Sequence, residues 1–188
     1  MRLTLVVWTT SALLLLANVS HAAPASGTDD EMGSFLAGKG LLTQINSQIV
    51  QARQSVSEKT SELVVNAMGF LGVPYKRGGN SLETGFDCSG FVRSMYEQTA
   101  GLMLPRTADQ QAAATQTIEQ GQLRPGDLVF FNTLRSAFSH VGIYIGDNKF
   151  IHSPREGAQV RVEDMRVNYW QTRFNGARRV ANTAVAQP

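Results

Sequence analysis

Three side chains could do chemistry together. Cys88 is the only cysteine among 188 residues and sits in Phe86-Asp87-Cys88-Ser89-Gly90-Phe91-Val92. Of the three histidines, His21 lies in an N-terminal stretch with the character of an export signal, which leaves His140 and His152. One thiol, one imidazole to take its proton and a second imidazole to orient the first are the minimum kit of a thiol hydrolase. The same residues, with Asp87 or Asp147 as a fourth, could be read as zinc ligands. They lack the short C-x-x-C or H-x-x-x-H spacings of such sites, so neither a metal nor a cofactor is expected. A redox thiol would need a resolving partner, which a chain with one cysteine does not have.

The elements that must position these residues follow from the local pattern. The spacing predicts a helix from about Ser57 or Ser61 to Phe70, stopped at Gly72-Val73-Pro74. Tyr75 to Gly85 then reads as a loop long enough to wall a cleft. A second helix is expected to begin at Cys88 under an Asp87 cap and to end at Gly101. That puts the thiol where unpaired N–H groups and the positive helix end favour a thiolate. Thr107-Ala108-Asp109-Gln110 reads as a capping box for a helix to about Ala114.

After Pro125 the pattern turns to short β-rich runs: Asp127–Phe131, Ser139–Ile145, Lys149–His152, Val160–Val162 and Arg178–Ala181. Alternation puts Val141, Ile143 and Ile145 on a core face, with His140, Gly142 and Tyr144 on the other. Gly142 leaves room beside the histidine. Gly146-Asp147-Asn148 signals a hairpin turn, and pairing Ile145 with Lys149 would set His152 opposite Gly142, diagonal to His140. Helices first and antiparallel strands second make the chain α+β.

The N-terminus carries Arg2, an apolar run from Leu3 to Val19 and small residues around Ser20-His21-Ala22-Ala23, the pattern of a cleaved signal peptide over residues 1–23. Residues 24–56 form an N-terminal extension, expected to be partly disordered or helical. Residues 57–182 hold the domain, and 183–188 form a disordered tail. About 165 residues remain after cleavage, enough for one core. No membrane span is expected to persist after cleavage. Loss of Arg2 takes the formal charge from +2 to +1, which gives no case for nucleic-acid binding. Lys76-Arg77 and Arg178-Arg179 read as solvated charges or contacts to an anionic ligand. A lone thiol in an exported chain is a liability unless it is used, which strengthens the functional reading of Cys88.

Four motifs in order complete the reading: Asp87-Cys88-Ser89-Gly90-Phe91-Val92, Leu104-Pro105-Arg106-Thr107, Pro125-Gly126-Asp127-Leu128-Val129-Phe130-Phe131 and His140-Val141-Gly142-Ile143-Tyr144-Ile145-Gly146. Over roughly residues 60 to 182 the chain resembles the NlpC-type cell-wall endopeptidases, papain-like bacterial cysteine peptidases. The resemblance implies Cys88 as nucleophile, His140 as general base and His152 as the group that orients it. It implies Tyr75 beside the thiol, helping to hold the oxyanion or the substrate, and Asp87, Ser89 and Arg106 near the substrate cleft. It also implies hydrolysis of peptidoglycan stem peptides, often between D-γ-glutamyl and a diamino acid, by a periplasmic or secreted protein. An amidase or acyltransferase on the same scaffold, or a non-catalytic wall-binding module, stay open as alternatives. No wall-binding repeat flanks the domain, so a separate wall-targeting or regulatory protein is left open as a partner.

Overall fold

The computed structural model describes residues 41–133 and 136–181. The expected signal peptide, the start of the extension and the tail lie outside the described residues. The chain divides into two compact units, Met1–Ser47 and Gln48–Pro188. Only the opening turns of one helix are described in the first unit, and the account below concerns the second.

Helix α1 spans Leu41–Met68 without interruption, through the expected boundary between residues 56 and 57. No glycine or proline falls within it, and Ser47, Ser55 and Ser61 bond back to the preceding turn, as Ser61 Oγ does to the Ser57 carbonyl at 2.9 Å. Toward its end Leu63 and Ala67 are buried. The chain then turns, and Gly72 to Tyr75 is fastened to residues 158–160 by the Gly72 N–H to Val160 O (2.9 Å) and Tyr75 N–H to Ala158 O (2.8 Å) bonds. The stretch expected to be loop contains a small hairpin, β1 (Asn80–Ser81) with β2 (Gly85–Phe86). Strands of two residues are too short to show an alternating pattern.

Helix α2 covers Cys88–Ala100 and α3 covers Ala108–Ala113. Both start where their caps predict. The Asp87 carboxylate accepts from the Gly90 N–H at 2.8 Å, a cap worth about 1 kcal/mol. Gly101 ends α2 in the left-handed region at φ 67°. The remaining chain builds one antiparallel sheet from β3 (Gln116–Ile118), β4 (Leu128–Phe131), β5 (His140–Gly146), β6 (Lys149–His152), β7 (Arg161–Asp164) and β8 (Phe174–Arg179), in the order β3-β8-β4-β5-β6-β7. Strand β3 and the one-turn helix α4 (Asn168–Gln171) have no counterpart in the sequence reading.

Both faces of this sheet are covered. On one, Leu128, Phe130, Val141, Ile143 and Ile151 pack with Phe91, Val92 and Met95 of α2 and Leu63 of α1. On the other, Val129, Phe131, Tyr144 and Phe150 pack with Met165 and Trp170. Full burial of each such ring contributes about 1.5–3 kcal/mol. The face assigned to His140, Gly142 and Tyr144 is thus an aromatic layer. The space left by Gly142 is taken by the next strand: a Cβ there would meet Phe150 Cδ2 at 2.7 Å and His152 Cβ at 3.2 Å.

The β5–β6 turn has two residues, Asp147 (φ 50°) and Asn148 (φ 57°), with Gly146 paired to Lys149. An irregularity between Tyr144 and Gly146 absorbs Ile145, so Tyr144 pairs with Phe150 and Ile143 with Ile151. Continued, this register sets His152 opposite Gly142. The tip therefore differs from the expected pairing of Ile145 with Lys149, while the histidines keep the expected diagonal.

The basic pair near the C-terminus is structural and not a set of solvated charges. Arg179 donates to both carboxylate oxygens of the buried Asp127, from Nε at 2.8 Å and Nη2 at 2.6 Å. Arg178 donates to the Ala112 carbonyl at 3.2 Å and lies over the Phe138 ring.

Candidate active site

The thiol is placed by the start of α2. The capping geometry requires glycine two residues on, because a Cβ on Gly90 would lie 2.1 Å from the Gly79 carbonyl oxygen. Loop and helix start are thereby pressed together, with Asp87 as their hub. Its carboxylate accepts from the Gly78 N–H (3.0 Å) and from Arg106 Nη1 (3.0 Å) and Nη2 (2.5 Å), besides its cap bond. Arg106 Nη1 also donates to Ser89 Oγ at 3.0 Å. Asp87, Ser89 and Arg106 are thus joined to one another around the start of α2 and are not among the residues that line the cleft.

The cleft, of about 880 Å³, is lined by Cys88, His140 and Tyr75, with Trp170 behind the imidazole. The backbone N–H of Val141, next after His140 in β5, is one of the donors that favour the Cys88 thiolate. His140 and His152 meet through Nε2 and Nδ1 at 2.6 Å. His140 is 3% exposed and His152 fully buried, so no solvent competes for that bond. Trp170 stacks on His140 at 5.7 Å and meets His152 edge-on at 5.2 Å, while Phe150 lies 4.7 Å from His152. With Nε2 engaged, Nδ1 is the His140 ring nitrogen outside that bond.

Beyond His152 the chain of contacts continues. His152 Nε2 lies 3.6 Å from Glu163 Oε2, and Arg161 forms an ion pair with Glu163 Oε1. The sequence reading missed Trp170, Glu163 and Arg161. Trp170 is the only tryptophan beyond the expected signal peptide, a signal that was available. Arg77, Arg155 and Glu156 also line the cleft, with no ion-pair partner among the described residues. No group of described residues has the makings of a metal site.

The electrostatics differ from the expected acidified thiol. Burial, and then the Asp87 charge, push Cys88 up to about 11, against the smaller downward pull of the backbone N–H groups of Val141, Ser89 and Cys88 itself. Burial lowers His140 well below 6.5, with His152 adding to the shift; burial lowers His152 too, against the opposing pull of Glu163. Tyr75 is raised, chiefly by burial and then by Cys88. The resting site is therefore a neutral thiol beside neutral imidazoles.

This has a consequence for stability. Both histidines have folded pKa values below the ordinary 6.5, so the unfolded chain takes up protons first as pH falls. The stability they contribute is present above 6.5 and declines as pH drops below it. The urea midpoint is expected to fall between pH 7 and pH 5. A His140→Asn, His152→Asn double variant should lose most of that slope; an unchanged slope would mean that the pair is not buried neutral.

The fold and its cleft define an α+β, papain-like domain in which a cysteine at a helix start and a strand histidine line one cleft. The chain belongs to the NlpC/P60 family, whose sequence profile matches residues 72–179. It is 40% identical over 136 residues to the murein DD-endopeptidase MepH of Escherichia coli, a match that covers 70% of this chain and 50% of that protein. It is 38% identical over 124 residues to a gamma-DL-glutamyl hydrolase of Bacillus subtilis, covering 65% of this chain and 30% of that one. The chain thus spans half or less of these two relatives. Among solved structures, an NlpC/P60 family protein from Bacillus cereus superposes with a TM-score of 0.59 at 35% identity, over 64% of this chain and 39% of that chain. The NlpC/p60 domain of the peptidoglycan hydrolase SagA does so at 0.56 and 32%, over 64% of this chain and 98% of that one.

Proposed function

We propose that this protein is an exported cysteine peptidase that hydrolyses amide bonds in peptidoglycan stem peptides, with Cys88 as nucleophile, His140 as base and His152 as its orienting group. The observation that carries the reading is the 2.6 Å bond between His140 Nε2 and His152 Nδ1, with His140 lining the same cleft as a helix-terminal thiol. His140 Nδ1 takes the Cys88 proton as the sulfur attacks the amide carbonyl. The first-turn N–H groups of α2 and the Tyr75 hydroxyl face the oxyanion. The imidazolium then protonates the leaving amine, and water resolves the thioester.

Because the resting pair is neutral, kcat/KM should rise through a pKa below 6.5 and stay flat through neutrality. An acid limb at or above 6.5 would remove the buried neutral imidazole from the role of base.

Arg77, Arg155 and Glu156 offer both charge signs to a zwitterionic peptide. Asp87, Ser89 and Arg106 serve the same substrate from behind, by fixing the wall that carries the thiol. Export fits a substrate outside the membrane, and no helix among the described residues is long and apolar enough to cross one.

The bond between D-γ-glutamyl and the diamino acid is the expected target, in keeping with the name of the Bacillus subtilis relative. A second reading, cleavage of the DD cross-link, is favoured by the name of the Escherichia coli relative. Digestion of intact sacculi separates them. The first releases peptides that begin with the diamino acid and carry its new free amine, and leaves dipeptides on the glycan; the second turns cross-linked dimers into monomers. Neither creates reducing sugar ends, since a thiol and an imidazole act on an amide carbonyl, and new reducing ends from pure enzyme would overturn the proposal.

A further inference from the structure

We propose that Glu163 is a positioning residue that sets the tautomer of the whole histidine relay and so decides which nitrogen of His140 is free to act as base. The inference rests on the peptidase reading and deepens it. Strand β7 pairs with β6 so that Phe150 faces Glu163 and His152 faces Arg161. Alternation puts all four side chains on the aromatic face of the sheet. Among the described residues His152 Nε2 is buried without a hydrogen-bond partner, and the one charged oxygen close to it is Glu163 Oε2 at 3.6 Å.

Two tautomer pairs are compatible with the short bond between the imidazoles. In the first, His140 Nε2–H donates to His152 Nδ1. Then His152 carries its proton at Nε2, toward the carboxylate, and His140 Nδ1 is a free lone pair. In the second, His152 Nδ1–H donates to His140 Nε2. Then His152 Nε2 points a lone pair at a carboxylate in a dry site, and His140 carries a proton on the nitrogen that must accept one. An ionised Glu163 excludes the second pair. The carboxylate is kept ionised: His152 and Arg161 hold it below its ordinary range against the effect of burial. As the imidazolium forms, the same carboxylate balances the charge passed outward along the relay.

Arg161 makes the device testable, because its guanidinium claims the Oε1 side of Glu163. In Glu163→Gln the carbonyl oxygen stays with Arg161, and the amide NH₂ turns to His152. A donor there demands a lone pair at Nε2 and so imposes the wrong tautomer on both rings. Glu163→Ala removes the carboxylate without adding a donor. The expected order of kcat is wild type, then Glu163→Ala within about tenfold, then Glu163→Gln lower by about 10²-fold with KM little changed. A merely structural role would make alanine the worse variant.

The decisive measurement is long-range ¹H–¹⁵N correlation on the full chain labelled at histidine, with melting curves as a check on folding. Wild type should show both rings protonated at Nε2, and Glu163→Gln should show both at Nδ1. Unchanged tautomers in Glu163→Gln, or a kcat equal to wild type, would overturn the proposal. The tautomers are read without substrate, so a failed peptidase assay would not disturb them.

Discussion

Cys88→Ala is expected to lower hydrolysis of peptidoglycan fragments on the order of 10⁵-fold, to background, with a melting curve close to wild type. No second thiol exists to take over. The fold should survive because Cys88 lies at the rim of the core, while the caps and contacts that hold the start of α2 belong to Asp87 and Gly90. Cys88→Ser should be nearly as inactive. A serine hydroxyl is a poorer nucleophile than a thiol, and the same burial and Asp87 charge would oppose its ionisation further. Turnover and circular dichroism on the same samples decide the matter. A folded alanine variant that still turns over would end the nucleophile assignment.

The second large effect is a ranking. His140→Ala should cost about 10⁴-fold in kcat/KM, near 5 kcal/mol of transition-state stabilisation, because it removes the imidazole that the proposal makes the base. His152→Ala should cost less, about 10²-fold, since the base remains but its ring is free to turn and to sample the wrong tautomer. His152→Asn or His152→Gln should retain more than alanine, because an amide can still accept from His140 Nε2–H. Equal losses for the three His152 variants would place that residue outside the relay.

What the sequence made legible is local. The cap at Asp87, the stop at Gly101 and the capping box before α3 each depend on residues within one turn, and each element begins or ends there. The β5–β6 hairpin is likewise local, and its histidines are twelve residues apart across a two-residue turn. The illegible parts depend on distant chain. Glu163 reaches His152 only through β6–β7 pairing, which no local pattern in Arg161–Asp164 announces. Helix α4 is one turn long, too short for periodicity to register, yet it delivers Trp170 to both imidazoles. The thiol's acidity was misjudged for the same reason. The helix start is visible in sequence, but the burial that outweighs it is a property of the packed domain.

That upward displacement bears on how the protein endures its surroundings. At neutral pH a thiol held near 11 is ionised to only about one part in 10⁴. Peroxide and disulfide oxidants attack the thiolate, so a thiol held in its protonated form reacts with them slowly. Burial, and after it the Asp87 charge, would thus slow oxidation of the thiol, in a chain that has no second cysteine to form a rescuing disulfide.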